Sequence, residues 1–177
     1  MNNKFRFIRF IALSACPLFI FEAQAFDGTV KFTGNILDAA CIVDIGENST
    51  IPVPLGDIQK SSFTGDGSLA ATTKFTVKLK SCPAGVDQAT VKFSGTSYQG
   101  DDNFIQLDQA ADVATGVAIQ IKDATQTIVP LMVDSQPYTL LPDVVNDLDF
   151  YASYVQKGTT VVKGTANATV NFTVDYQ

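Results

Sequence analysis

The 177-residue chain contains no histidine and no tryptophan. Without histidine it lacks the usual general base, the commonest zinc ligand and any Ser-His-Asp arrangement, so catalysis would fall to carboxylates or a lysine. Basic residues are few, twelve against eighteen acidic ones, and that balance argues against nucleic acid or an anionic membrane as a partner. No apolar run approaches the roughly 20 residues that cross hydrocarbon. The longest, Phe10 to Phe21, follows Lys4, Arg6 and Arg9 and precedes Ala23-Gln24-Ala25, the order of a secretory signal with a small-residue cleavage site. Helical periodicity is missing as well: no window beyond the signal repeats apolar residues at 3.6-residue spacing over several turns.

Cleavage after Ala25 leaves residues 26–177, enough chain for one domain with a sizeable core. Nine basic and seventeen acidic residues remain, a net charge of −8. Leu13-Ser14-Ala15-Cys16 resembles a lipobox and offers Cys16 as a competing, lipidated N-terminus, but the apolar run continues past it to Phe21, which favours the later site. Only Cys41 and Cys82 then stay in the mature chain. In an oxidising compartment two thiols have one way to pair, and a bridge between them would stabilise by about 4 kcal/mol in the chain-entropy model.

What is present is period-2 alternation. In Phe26 to Ile36, Gly28, Val30, Phe32, Gly34 and Ile36 face one way and Thr29, Lys31, Thr33 and Asn35 the other, as in a strand with one buried face. At Leu37 the phase slips, and since one residue of slip turns every side chain over, residues 26–36 and 37–177 belong to different packing units. A leading strand with glycines where a core would need side chains is suited to insertion into another copy of the fold. Further on, Leu37 to Asp44 reads as a strand carrying Cys41, and Thr50 to Leu55 as an edge or irregular segment because Pro52 and Pro54 lack amide donors. Gly56 to Thr72 and Gly95 to Asn103 read as loops, and Phe104 to Leu107 is ambiguous. Lys74 to Lys80, Ala89 to Phe93, Val117 to Ile121 and Leu148 to Tyr154 alternate cleanly, and Asp123 to Gln126 is a turn leading to a hairpin partner over Ile128 to Val133. The longest alternating element is Ala166 to Tyr176. Many short strands at regular spacing indicate an all-β sandwich or barrel.

Chemistry-bearing clusters are sparse. Asp101-Asp102 sits in a glycine-flanked loop, and Asp147 and Asp149 lie on the outer face of a strand, so both pairs read as solvated surface rather than acid–base machinery. Asp101-Asp102-Asn103 lacks the register and distal glutamate of a calcium loop. The sequons at Asn48, Asn167 and Asn171 are chance matches in an Asn/Thr-rich chain. Tyr98, Tyr138 and Tyr151 could build a sugar-stacking platform, without any spacing that points to one. No catalytic residue, metal ligand or cofactor is assigned.

Several segments, in order, resemble one family. Ile36-Leu37-Asp38-Ala39-Ala40-Cys41 after Gly34, Leu55-Gly56-Asp57-Ile58, Phe75 to Leu79 before Cys82, Gly116 to Ile121 before Asp123, and Leu148 to Tyr154 are similar to pilin subunits of chaperone-usher fimbriae, type 1-like major subunits above all. So is the end, with Gly164 fourteen residues from the C-terminus and Tyr176 second from last. The resemblance implies an immunoglobulin-like sandwich lacking its final strand, completed by a strand from a periplasmic chaperone and then from a neighbouring subunit. It implies export through the periplasm and an outer-membrane usher to a surface fibre used in adhesion. By position, Gly28, Val30, Phe32, Gly34 and Ile36 form the donor face, and Gly164, Val170, Phe172, Val174 and Tyr176 the accepting C-terminal edge. Cys41 and Cys82 match the family disulfide. A single-domain glycan-binding adhesin or a minor adaptor or tip subunit is the alternative, and eleven donor residues are fewer than many major subunits carry.

Overall fold

The computed structural model describes residues 28–33, 40–45 and 49–177. The chain divides into two units, Met1–Ile36 and Leu37–Gln177. Of the first, residues 28–33 adopt no regular secondary structure, and Val30 and Phe32 are 77% and 91% exposed. The signal sequence, Gly34, Ile36 and the start of the predicted Leu37 strand lie outside the described residues.

In the second unit the described residues form nine strands: β1 (Ile42–Asp44), β2 (Leu69–Lys80), β3 (Gln88–Ser94), β4 (Ser97–Tyr98), β5 (Asp101–Ile105), β6 (Val117–Asp123), β7 (Tyr138–Thr139), β8 (Asn146–Gln156) and β9 (Asn171–Tyr176). A single 3-10 turn, Lys60–Ser62, is the one helical element among them. The strands make two sheets, one ordered β1-β2-β8-β6-β5-β4 and the other β7-β3-β9, with every named pairing antiparallel. The expected all-β sandwich is what forms.

Alternation explains the core. Val77, Leu79, Leu148 and Phe150 from the larger sheet and Ala89, Val91 and Phe93 from the smaller one are buried. Phe75, Phe93, Phe150 and Tyr138 meet between the layers with ring centroids 5.1 to 6.1 Å apart, in the edge-on and offset geometries that aromatic quadrupoles favour. Tyr138 therefore belongs to the core and not to a sugar platform. On the outer face, Lys74 pairs with Asp149 at 2.8 Å and Lys78 with Asp147 at 2.9 Å. Burial opposes ionisation of Asp149, but hydrogen bonds from Lys74 and Thr76 outweigh it and hold the carboxyl below its usual range. The disulfide joins Cys41 and Cys82, which is fully buried.

Four expectations are corrected. The predicted loop from Gly56 ends at Leu69, where β2 begins, with a bulge between Ala70 and Thr73 and Ala71 at φ 54°. One added residue breaks the alternation there and disguises the strand. The predicted loop Gly95–Asn103 holds a tight hairpin: Tyr98 pairs with Asp101, and Gln99 and Gly100 have φ of 52° and 82°, the positive pair that a two-residue hairpin turn requires. Ile128–Val133 does not run on as a hairpin strand. It bridges once to Lys122, then crosses sheets, with the Met132 amide donating to the Phe93 carbonyl. Finally, Ala166–Tyr176 is not one strand. Only Asn171–Tyr176 joins a ladder, and the longest strand is β2.

Candidate functional site

The last segment keeps its alternation throughout while it changes partner. Ala166, Ala168, Val170, Phe172, Val174 and Tyr176 are all half-buried. Early in this run the Ala114 amide donates to the Thr165 carbonyl and the Asp108 amide to the Asn167 carbonyl, each at 2.8 Å. From Asn171 the partner is β3, with Phe172 opposite Phe93 and Tyr176 opposite Ala89. Lys92 fastens the two strands from outside, 2.9 Å from Asp134 and 3.5 Å from Asp175. Strand β9 has β3 on one side and, among the described residues, no strand on the other.

That open side borders a groove of about 650 Å³. One wall is residues 166–172. The other is residues 49–57, where Ile51, Val53 and Leu55 are half-buried while Pro52 and Pro54 are exposed. The prolines explain why this wall stays outside both sheets, since a residue without an amide cannot extend a ladder. The floor includes Phe75, Phe93, Ile119, Ile121, Ala152 and Tyr154, drawn from both layers. The Tyr154 hydroxyl donates to the Ala166 carbonyl at 2.7 Å and ties floor to wall, and burial pushes its pKa up.

Chemically the groove is an apolar trough along an unpaired strand edge, a shape that binds extended peptide by main-chain pairing and alternate side-chain pockets. Left open, the same edge is an aggregation hazard. Among the described residues no group of three or more His, Cys, Asp or Glu could hold a metal ion, and no helix is long and apolar enough to cross a membrane.

The sequence-read edge residues are distributed unevenly. Val170 and Phe172 line the groove. Val174 and Tyr176 lie beyond its lining, and the Tyr176 hydroxyl donates to the Cys41 carbonyl at 3.3 Å. Gly164 lines an adjoining cavity, where a Cβ would strike the Asp112 carbonyl and the Ala114 amide. Its lack of a side chain permits a backbone crossing. The wall Ile51, Val53 and Leu55 was not singled out by sequence reasoning. Its signal was an inward apolar alternation in a segment whose prolines forbid a ladder.

The model of the family described as Fimbrial protein matches residues 30–177. The probable major fimbrial subunit LpfA of Escherichia coli O157:H7 is 35% identical over 159 residues, covering 89% of this chain and 88% of that protein. Among solved structures, the Burkholderia pseudomallei antigen and type I fimbria protein is 34% identical with a TM-score of 0.60, covering 79% of this chain and 91% of that one. The P pilus rod subunit shares the fold, with a TM-score of 0.64 at 22% identity over 78% of this chain and all of that one.

Proposed function

This chain belongs to the fimbrial protein family, and from that premise we propose that it is a non-enzymatic structural subunit of a chaperone-usher fimbria. It polymerises by accepting the N-terminal extension of a neighbouring subunit into the groove beside β9. The observation that carries the reading is the pair of half-buried apolar walls, Ile51 to Leu55 and Ala166 to Phe172, with no strand between them among the described residues. A periplasmic chaperone lends a strand to this edge after export, and an outer-membrane usher passes the subunit to the surface.

The donor is residues 26–36, with Gly28, Val30, Phe32, Gly34 and Ile36 facing the groove floor. Val30, Phe32 and Ile36 would each contribute about 1.5 to 3 kcal/mol on burial, and each new main-chain hydrogen bond about 0.5 to 1.5 kcal/mol. The exposure of Val30 and Phe32 fits a segment that awaits such a site.

The test adds a synthetic peptide of residues 26–36 to the purified mature chain and follows thermal unfolding. Saturable stabilisation is expected, about 2.7 kcal/mol at a hundredfold excess over Kd, together with a block on self-assembly. A peptide carrying Gly34→Leu should lose the effect, because a bulky group at the shallow position overpacks the groove. Absence of any shift with the unaltered peptide would overturn the reading.

A further inference from the structure

The last segment turns its odd-numbered residues away from the groove. The Thr165 amide donates to the Asp112 carbonyl, and the Thr165 and Asn167 carbonyls accept from the amides of Ala114 and Asp108, each at 2.8 Å. Further along, the Gln177 amide donates to the Gln88 carbonyl at 2.9 Å and the Gln88 amide to the Gln177 carbonyl at 3.2 Å. Asp175 lies opposite Thr90, Thr173 opposite Lys92 and Asn171 opposite Ser94, so the same odd set faces β3. Neighbouring residues of an extended chain direct their main-chain groups to opposite sides. The even-numbered residues from Ala166 to Tyr176 therefore present theirs to the groove, in one row that spans the change of partner.

One position in that row is already taken. Tyr154, on β8 and only 9% exposed, donates its hydroxyl to the Ala166 carbonyl at 2.7 Å. The same residue lines both the groove and the adjoining cavity, so it stands where the two meet. Ala168 and Val170, next in the row, make no main-chain hydrogen bond among the described residues.

We propose that Tyr154 is a positioning residue that closes the row at Ala166, so that a strand entering the groove pairs from Ala168 onward and no further toward Gly164. The inference rests on the donor-strand reading above and adds what fixes the register of the incoming strand. A slip of one residue would turn its apolar side chains out of the groove, but a slip of two keeps every side chain on its face, so alternation alone does not forbid it. A strand slipped toward Gly164 would have to bring an amide to a carbonyl whose groove side a buried hydroxyl occupies. Displacing that hydroxyl would leave it unpartnered in an apolar wall.

The test follows main-chain amide exchange in the purified mature chain with and without a synthetic peptide of residues 26–38, long enough to reach past Ala168. In the wild-type chain the amides of Ala168, Val170 and Phe172 should gain protection on binding, while that of Ala166 should not. In Tyr154→Phe the Ala166 amide should become protected as well, and the peptide should bind about fivefold tighter, the contribution of one more main-chain hydrogen bond. A tyrosine that merely braced the wall would give the opposite sign, weaker binding in the variant, and that result would overturn the proposal. Protection of Ala166 in the wild-type chain would overturn it too, whether or not the variant folds. Both outcomes leave the donor-strand reading standing. Failure of the peptide to protect any amide of the row would remove the premise and the inference with it.

Discussion

Gly164 shows how one missing Cβ can organise a crossing. The Thr165 amide donates to the Asp112 carbonyl at 2.8 Å, and the two backbones approach so closely that any side chain at position 164 would meet the main chain of Asp112 to Ala114. Backbone cannot step aside as a flexible side chain can. Gly164→Ala is therefore expected to cost about 1 to 3 kcal/mol, read as a lower urea midpoint with the disulfide intact, and an unchanged midpoint would refute the steric account. Tyr138 makes a different residue-scale case. Burial raises its pKa to about 12, and its hydroxyl donates to the Asp149 carbonyl at 2.6 Å. A raised tyrosine pKa means the fold favours the neutral phenol. Its contribution is complete below the unfolded value near pH 10 and is lost as pH rises toward 12. Stability should fall across that window. In Tyr138→Phe the fall should be shallower, since burial raises Tyr154 and Tyr176 as well and they still titrate.

At the scale of elements, β9 has two duties that the C-terminal residues divide between them. Val170 and Phe172 border the groove, whereas Tyr176 and Gln177 close the domain. The Gln177 carbonyl accepts the amides of Asp87 and Gln88, its own amide donates to Gln88, and the Tyr176 hydroxyl reaches Cys41. Removing Tyr176 and Gln177 should consequently lower the stability of the isolated subunit as well as its yield from the periplasm. Tyr176→Phe separates the effects: it keeps the ladder, removes one hydroxyl contact worth about 1 kcal/mol, and should leave accumulation near wild type. Normal periplasmic levels of the truncated chain would show that these last pairings are dispensable.

For the whole molecule, the two sheets are unequal by design of the sequence. Six strands close on one side, three on the other, and the prolines at 52 and 54 keep the flanking segment from joining either. The result is a sandwich with a groove beside β9 that no strand among the described residues fills. The interactions inside the domain are those of an ordinary small β protein: an aromatic centre, a disulfide and a row of exposed Lys–Asp pairs, each of the latter contributing little in water.

The alternating residues of β2, β3, β6 and β8 were enough to establish the strands, their buried faces and the sandwich, because a period of two leaves no choice about which side chains point inward. The two mature cysteines likewise had one partner each. Pairing was not legible in the same way. Alternation from Ala166 to Tyr176 records that one face is covered, not that the backbone exchanges the 108–114 segment for β3 halfway along. The bulge at Ala70 to Thr73 and the turn at Gln99-Gly100 were hidden because each depends on positive φ at a non-glycine residue, a conformation that tertiary contacts impose against local preference. The groove itself required the three-dimensional arrangement most of all. Ile51, Val53 and Leu55 face Val170 and Phe172 across the groove and more than a hundred residues of sequence, and only closure of both sheets sets two half-covered apolar faces opposite each other with no strand between them among the described residues.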